Sequence, residues 1–190
     1  MTTETGIMAD KPHKIMLVEG DPEILEMLVS ALSARLDAQL TCVSSAESGL
    51  EADIADPHDL VIIELELDDG SGIELAERLC MLAPRPIILL ADELTTQDTI
   101  AAMRLGVSDL LMKPFPLTEL LDAAGEALRR HDVHQAHLAK YLRMRALVRR
   151  VLRERRAMHQ RMELVCQDLV AAHRRLMHRV LALEDSRRPA

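Results

Sequence analysis

Two carboxylates stand at the ends of two apolar segments near the start of the sequence. Glu19 follows the segment KIMLV, and Glu64 ends the segment LVIIE. Each segment is as continuously apolar as a strand that is covered on both faces of a parallel sheet. The carboxyl ends of such strands share one edge of the sheet, and ligands bind there. Two acids at that edge are typical of a metal site or a phosphoryl-transfer site.

Alternating strand-like and helix-like segments provide the framework for these acids. Residues 14–115 contain five apolar strand-like segments separated by helix-like ones, and Asp21 is a suitable N-terminal cap for the first helix. Repeated βα units predict an α/β fold with a doubly wound, five-stranded parallel sheet. Lys113 ends the fifth strand-like segment. We therefore expect Glu19, Glu64 and Lys113 to converge at the carboxyl edge of the sheet.

The composition argues against several classes of function. The chain has one Tyr, one Phe and no Trp, so it lacks the aromatic faces on which bases and sugars stack. Its three cysteines are far apart and form no CxxC pair, which fits a reducing compartment. There is no signal-peptide pattern, no apolar run of membrane-spanning length and no catalytic fingerprint such as GxSxG or HExxH. We expect a cytoplasmic protein that is not an enzyme and has no membrane partner.

The net charge of −8 conceals a sharp change along the chain. Residues 1–128 hold 7 Lys and Arg against 25 Asp and Glu, whereas residues 129–190 hold 16 against 6. So abrupt a change indicates two different kinds of structure. We predict a flexible N-terminus at 1–13, an α/β domain at 14–130 and a basic helical extension at 131–190.

The extension carries the pattern of a coiled coil. No Gly or Pro occurs between Gly125 and Pro189, and of the thirteen heptad positions that begin at Tyr141, only Arg155 and Arg179 are not apolar. A single helix cannot bury such a stripe on itself, so we expect a partner helix. Four further apolar residues widen the surface and leave open a straight coil, a hairpin or a bundle: Leu164, Val170, Met177 and Leu181. The expected interface comprises Val148, Val151, Met158, Met162, Val165, Leu169, Leu176 and Leu183.

Residues 14–128 resemble the receiver domain of two-component response regulators. The resemblance is carried by the acid after the first strand, the acid at the end of the third, the GSGIEL that follows, and LGVSDLLMKPF with its Lys-Pro pair. It implies a flavodoxin-like sheet with strand order 2-1-3-4-5. In that family, two acids after the first strand and an Asp after the third hold Mg²⁺, and the Asp accepts a phosphoryl group from a histidine kinase.

The acidic pocket departs from the family pattern. Glu19 fills the first acidic position, but Gly20 replaces the second, and the neighbouring Asp21 is placed to cap a helix. Glu64 occupies the phosphoacceptor position with one methylene more than Asp, which misplaces its carboxylate for in-line attack. Lys113 matches the family's lysine, which pairs with phosphoryl oxygens. Because Mg²⁺ demands near-octahedral oxygen ligation, the ligand lost at Gly20 predicts that Mg²⁺ does not bind, and we expect no other cofactor.

Both switch positions of the family are also altered. Ala91 replaces the hydroxyl residue that ends the fourth strand, and Leu110 replaces the aromatic residue of the fifth. We therefore interpret the domain as a degenerate receiver that is not phosphorylated, in which Glu64 and Lys113 form a fixed ion pair. Two other interpretations stay open: the pair imitates a phosphorylated acceptor, or Glu64 still accepts a phosphoryl group.

Three hypotheses for function follow. In the first, the chain is a signalling adaptor that forms a homodimer, or binds a protein partner, through its C-terminal helix. In the second, the Arg-rich segment RRVLRERR at residues 149–156 binds DNA or RNA. We favour the first, because these arginines are interleaved with the apolar heptad positions. In the third, the chain is a working phosphorelay receiver that is phosphorylated at Glu64.

Overall fold

A computed structural model describes residues 12–185 of the chain and the side chains of residues 12–177. The chain divides into two compact units, Met1–Gln135 and Ala136–Ala190. Most of the segment predicted to be flexible lies outside the described residues, although its last residue, His13, begins the first strand. The predicted division of the chain at residues 130/131 into separate domains stays a prediction.

The first unit contains a sheet of five parallel strands in the order β2-β1-β3-β4-β5. This order confirms the predicted doubly wound α/β fold. A two-stranded antiparallel hairpin, Glu66–Leu67 with Gly70–Ser71, follows the third strand and was not predicted. The strands are β1 (His13–Val18), β2 (Ala38–Val43), β3 (Leu60–Glu64), β4 (Ile87–Ala91) and β5 (Asp109–Met112).

Helices connect the strands, and local residues define where they begin and end. Three of the caps are hydroxyl side chains, and Thr95 forms a reciprocal capping box with Asp98. Gly106 ends α4 in the left-handed conformation that favours glycine, with a φ of 74°. The helices are α1 (Pro22–Arg35), α2 (Ala46–Ala55), α3 (Gly72–Leu82), α4 (Thr96–Leu105) and α5 (Leu117–Asp185).

The core consists of two apolar layers, one on each face of the sheet. Successive strand residues alternate between the layers, so Ile15 and Leu17 pack with α1 and the start of α5. Met16 and Val18 pack on the opposite face with α3 and α4. Because both faces are covered, strand residues of either parity are apolar, which explains the uninterrupted apolar segments of the sequence.

The described part of the second unit is the remainder of α5, and its described side chains lie almost entirely in solvent. From residue 136 to residue 177 every side chain is exposed except Ala172, which is half-buried. None of the helices in the described part of the chain has an apolar stretch sufficient to cross a membrane.

Gly72, the first residue of α3, approaches the end of β3 very closely. Its N–H group donates to the carbonyl oxygen of Leu65 over 2.8 Å. A Cβ atom at this position would lie 2.1 Å from the carbonyl oxygen of Glu64 and 3.0 Å from a methyl carbon of Ile63. Two atoms cannot approach so closely, so glycine is what allows α3 to begin beside the strand end that carries Glu64.

We expect Gly72→Ala to lower the free energy of unfolding by about 3 kcal/mol, because the added methyl group forces α3 away from β3. Gly70→Ala is the matched control, since a Cβ at Gly70 meets no heavy atom within 4 Å, and it should cost less than about 1 kcal/mol. Pulse proteolysis of the full chain in a urea series measures both, because the chain has no Trp for fluorescence. Equal losses in the two variants would contradict the close approach.

Candidate functional site

Three side chains converge at the carboxyl edge of the sheet. Glu19 directly follows β1, Glu64 is the last residue of β3, and Lys113 directly follows β5. The Lys113 backbone N–H donates to the carbonyl oxygen of Ala91 over 2.7 Å, which extends the pairing of β5 with β4. The parallel arrangement of the strands therefore places residues that are far apart in sequence at one point.

The Lys113 ammonium group bridges the two carboxylates. Its Nζ lies 2.7 Å from Glu64 Oε1 and 3.1 Å from Glu19 Oε2. A third carboxylate, Asp92 Oδ2, lies 3.8 Å away and is largely exposed. The two short contacts are charge-assisted hydrogen bonds, which are stronger than those between neutral groups. We refer to Glu19, Glu64 and Lys113 as the acid–lysine cluster.

Backbone N–H groups satisfy the remaining carboxylate oxygens of the cluster. Gly20 donates to Glu64 Oε2 and Asp21 donates to Glu19 Oε1, each over 3.1 Å. Each of the four carboxylate oxygens thus accepts at least one hydrogen bond from the chain itself. Little of the cluster is exposed: 1% of the Glu19 side chain, 13% of Glu64 and 10% of Lys113. Water therefore contributes little to the hydration of the two carboxylates.

The two carboxyl groups differ in their affinity for a proton. Burial raises the pKa of Glu19, and the adjacent Glu64 carboxyl raises it further, so that the bonds from Asp21 and Lys113 offset only part of the increase. Burial would also raise the pKa of Glu64, but hydrogen bonds from Lys113, from the Glu19 carboxyl and from Gly20 outweigh it and hold the pKa below its usual value. Glu19 is therefore the acid that takes up a proton first.

Lys113 is held in its charged form. Burial alone would lower the pKa of the Lys113 ammonium group, but its hydrogen bonds to Glu64 and Glu19 and their negative charges raise it above the usual value. A cation between two acids is stabilised by both of them, and each acid is stabilised by the cation. The cluster is thus a mutually dependent set of three charges.

Asp21, the third predicted pocket acid, is engaged elsewhere by its side chain. Its Oδ1 accepts hydrogen bonds from the N–H groups of Glu23 and Ile24 over 2.8 and 3.4 Å, which caps α1. Only its backbone N–H reaches the cluster, through Glu19. Gly20, between Glu19 and Asp21 in the chain, has room for a side chain. A Cβ there would lie 3.6 Å from Glu64 Oε2, an ordinary contact distance.

The two predicted switch positions carry apolar side chains in the structure. Ala91 is the last residue of β4 and is fully buried. Leu110 lies in β5, paired with Leu89, and packs against the apolar layer formed with α3 and α4. Neither side chain has an atom that could donate a hydrogen bond to a group bound at Glu64.

The predicted coiled-coil residues lie along the exposed part of α5. Seven of them have described side chains, each between 50% and 64% exposed. The eighth, Leu183, is helical, but its side chain lies outside the described residues. The structure holds one copy of the chain, so the predicted interface itself stays a prediction. The seven are Val148, Val151, Met158, Met162, Val165, Leu169 and Leu176.

A buried polar cluster elsewhere in the first unit was missed by the sequence prediction. His58 Nδ1 lies 3.1 Å from Asp53 Oδ1, and its Nε2 lies 2.9 Å from the Thr41 hydroxyl. The Arg85 guanidinium forms an ion pair with the same Asp53 oxygen. His58 precedes β3 and Arg85 precedes β4, so this group joins the strands at their amino ends, opposite the acid–lysine cluster. The available signal was an acid on the buried side of α2, four residues after Gly49.

The fold and the acid–lysine cluster together define a doubly wound α/β domain of the receiver type. The family model of the response regulator receiver domain matches residues 15–125, more than half of the chain. The chain therefore belongs to the response regulator receiver family, and the resemblance found in the sequence is confirmed.

Similar proteins agree with this assignment over the first unit. The KDP operon transcriptional regulatory protein KdpE of Escherichia coli is 34% identical over 122 residues, which cover 64% of this chain and 54% of that protein. The transcriptional regulatory protein KdpE of Mycobacterium tuberculosis is 31% identical over 62% of this chain and 51% of its own length. The chain thus matches only about half the length of these curated relatives.

Solved receiver domains show the same fold. The CheY-like receiver domain of Methanospirillum hungatei superposes with a TM-score of 0.61 at 23% identity, over 65% of this chain and 99% of that one. The signal receiver domain of an HD domain-containing protein from Pseudomonas fluorescens gives a TM-score of 0.62 at 28% identity, over 65% of this chain and 99% of its own.

The opposite pKa shifts of Glu19 and Glu64 predict opposite pH dependences in two isosteric variants. Because the pKa of Glu19 is higher in the folded state, ionising it costs stability as the pH rises above its unfolded-state pKa, and Glu19→Gln removes that cost. Because the pKa of Glu64 is lower in the folded state, ionising it adds stability over the same rise, and Glu64→Gln removes that gain. The stability that ionised Glu64 contributes to the folded state is lost as the pH falls through its lowered pKa.

Urea unfolding at pH 4 and pH 7 measures both effects relative to the unaltered chain. On going from pH 4 to pH 7, Glu19→Gln should become relatively more stable and Glu64→Gln relatively less stable. Each variant serves as the control for the other, since both replace a carboxyl by an amide of the same size. Relative stabilities that change in the same direction would contradict the assignment of the first proton to Glu19.

Proposed function

We propose that this chain is a signal-transduction protein whose receiver domain is degenerate and is not phosphorylated. Its output is contact with a protein partner through the exposed part of α5 from residue 136 onward, which we call the helical unit. The observation that supports this most directly is the position of Lys113. Its ammonium group bridges Glu19 and Glu64 at 3.1 and 2.7 Å, at the edge where the family holds a metal ion. A resident cation of the chain thus offsets part of the negative charge of the two acids.

The donor set of the cluster does not fit Mg²⁺. Glu19 and Glu64 provide two carboxylates, and Gly20 provides none where the family has a further acid. Among the described residues, no three His, Cys, Asp or Glu side chains are arranged to hold a metal ion. Mg²⁺ requires about six oxygen ligands at roughly 2.1 Å and loses its own water reluctantly. To bind here it would also have to overcome the repulsion of the Lys113 ammonium group, which lies between the two carboxylates.

Glu64 is also poorly prepared to accept and report a phosphoryl group. One of its oxygens is bound to Lys113 and the other to the Gly20 N–H. Ala91 and Leu110 offer no polar atom to a group attached there, so phosphorylation would have no second arrangement of the domain to select. For the same reason we favour a fixed ion pair over a pair that imitates the phosphorylated state.

The helical unit is the surface that needs a partner. Its row of apolar side chains is exposed along six turns and more of helix, an arrangement that is stable in water when another helix covers it. We favour a protein partner over nucleic acid, because the arginines alternate with these apolar positions on one helix. The family match ends at residue 125, so the names of the relatives provide no argument for a nucleic-acid partner of this unit.

Exposure of the full chain to acetyl phosphate and Mg²⁺ tests the proposal. We expect no phosphoryl adduct by intact-mass measurement, and the same dimer mass in sedimentation with and without the donor, because neither metal ligation nor the acceptor geometry is complete. The double variant Gly20→Asp, Glu64→Asp restores both features, and we expect it to acquire an adduct that depends on Mg²⁺.

Two results would contradict the proposal. A phosphoryl adduct on the unaltered chain that disappears in Glu64→Gln would show that Glu64 is a working acceptor. A mass that changes from monomer to dimer only with the donor would show that phosphorylation controls the helical unit.

A further inference from the structure

Nine consecutive heptad positions in the exposed part of α5, from Val148 to Leu176, form a surface that we call the seam. Seven are apolar and at least half exposed. The other two differ sharply in size, since Arg155 is long and charged and Ala172 is the smallest member. The seam comprises Val148, Val151, Arg155, Met158, Met162, Val165, Leu169, Ala172 and Leu176.

We propose that the partner of the seam is a second copy of this chain in antiparallel orientation, in the register that places Met162 opposite Val165 of the second copy. This inference rests on the proposed function, because it names the partner of the helical unit. The seven heptad positions are lettered a to g, with Met162 at a, Val165 at d and Asp168 at g. In an antiparallel pair, the a positions face d positions of the other helix, and g positions face g positions. A two-fold axis makes every such contact occur twice.

This register solves the packing problem posed by the two unusual seam residues. It places Arg155 of each copy opposite Ala172 of the other, so that the longest side chain meets the smallest. A parallel pair in register would instead place Arg155 against Arg155, with two like charges in the seam, and Ala172 against Ala172, with a gap.

The charged residues beside the seam are complementary in the same register. Arg161 faces Asp168 of the second copy, and Glu154 faces Arg175 of the second copy. With the two-fold axis, this makes four pairs of opposite charge. Charges at these flanking positions determine which orientation and partner a coiled coil selects.

Sliding one helix by a heptad in either direction reverses the complementarity. One shift places Arg161 opposite Arg161 of the second copy, and Glu154 opposite Asp168 of the second copy. The opposite shift places Asp168 opposite Asp168 of the second copy, and Arg161 opposite Arg175 of the second copy. Like charges that face each other destabilise the alternatives, so the sequence specifies this register against its neighbours.

Within a single helix these flanking charges are largely free of competing partners. Residues three and four positions from Arg161 and from Asp168 are all uncharged. Neither residue, nor Arg175, forms an ion pair with another described residue. Glu154 accepts a hydrogen bond from Arg150 over 2.9 Å through Oε1, and a carboxylate has capacity for a second partner.

The parallel alternative makes weaker use of the same residues. In that orientation a g position faces an e position of the next heptad, so Glu154 would face His159 and Asp168 would face His173. An imidazole lacks the fork of five N–H donors with which a guanidinium matches a carboxylate. The antiparallel register pairs the acids with arginines, which are always charged.

A charge exchange in the full chain tests the register. We expect Arg161→Asp alone, and Asp168→Arg alone, to raise the dimer dissociation constant roughly tenfold at low ionic strength, because two attractive pairs become repulsive. The double variant restores opposite charges in exchanged positions, and its dissociation constant should return to within about threefold of the unaltered value. Sedimentation equilibrium measures all four proteins.

Arg174→Asp is the matched control, since it makes the same charge change on the face of the helix away from the seam. It should leave the dissociation constant within about threefold of the unaltered value. Circular dichroism of each variant verifies that the helix content is unchanged, so that weaker association is not a consequence of unfolding.

Spin labels measure the orientation independently of stability. With the three native cysteines replaced by alanine, a label at position 153 should lie about 30 Å from its counterpart along the helix axis, and a label at position 160 about 10 Å, by the rise of ~1.5 Å per residue. A parallel pair would give the same distance at both positions.

The outcomes separate the register from the proposed function. A dimer in which the double variant is as weak as the single ones, or in which both labels report the same distance, would overturn the register and leave self-association intact. A chain that stays monomeric at micromolar concentration would overturn the register and also the self-association half of the proposed function.

Discussion

The whole site depends on one electrostatic constraint: two carboxylates brought together at a sheet edge require a cation between them. The parallel strands fix the proximity of Glu19 and Glu64, because these acids lie at the ends of two neighbouring strands. Ile15 to Val18 of β1 pair with Leu60 to Ile63 of β3. Lys113, at the end of β5, supplies the cation from inside the chain. The fold itself therefore offsets part of the free energy of bringing the acids together.

Most of the fold could be predicted from the sequence, because the signals are local and repeated. Continuous apolar strands, helix caps and the spacing of the βα units leave few topologies, and the convergence of Glu19, Glu64 and Lys113 follows from them. The hairpin after β3 was missed because its strands have two residues each and show no periodicity. The buried pair of Asp53 and His58 was missed because its partners come from elements distant in sequence.

The difference between the two acids of the cluster was also beyond prediction from sequence. Both are glutamates that end strands, and a pattern of residue types assigns them equal roles. What separates them is the number and source of their hydrogen bonds, and above all the deeper burial of Glu19. Such differences arise from the packing around each carboxylate. The roles of Ala91 and Leu110 likewise stay predictions, since they concern what the domain does and not where its atoms lie.

The proposal that the acid–lysine cluster does not bind Mg²⁺ is tested most directly by amide NMR of the full chain during a Mg²⁺ titration. The account predicts that the resonances of Gly20, Asp21 and Leu65, which surround the two carboxylates, stay unchanged up to several millimolar Mg²⁺ at constant ionic strength. Saturable shifts confined to these residues would contradict the proposal, because they would show that the metal binds at the carboxylates.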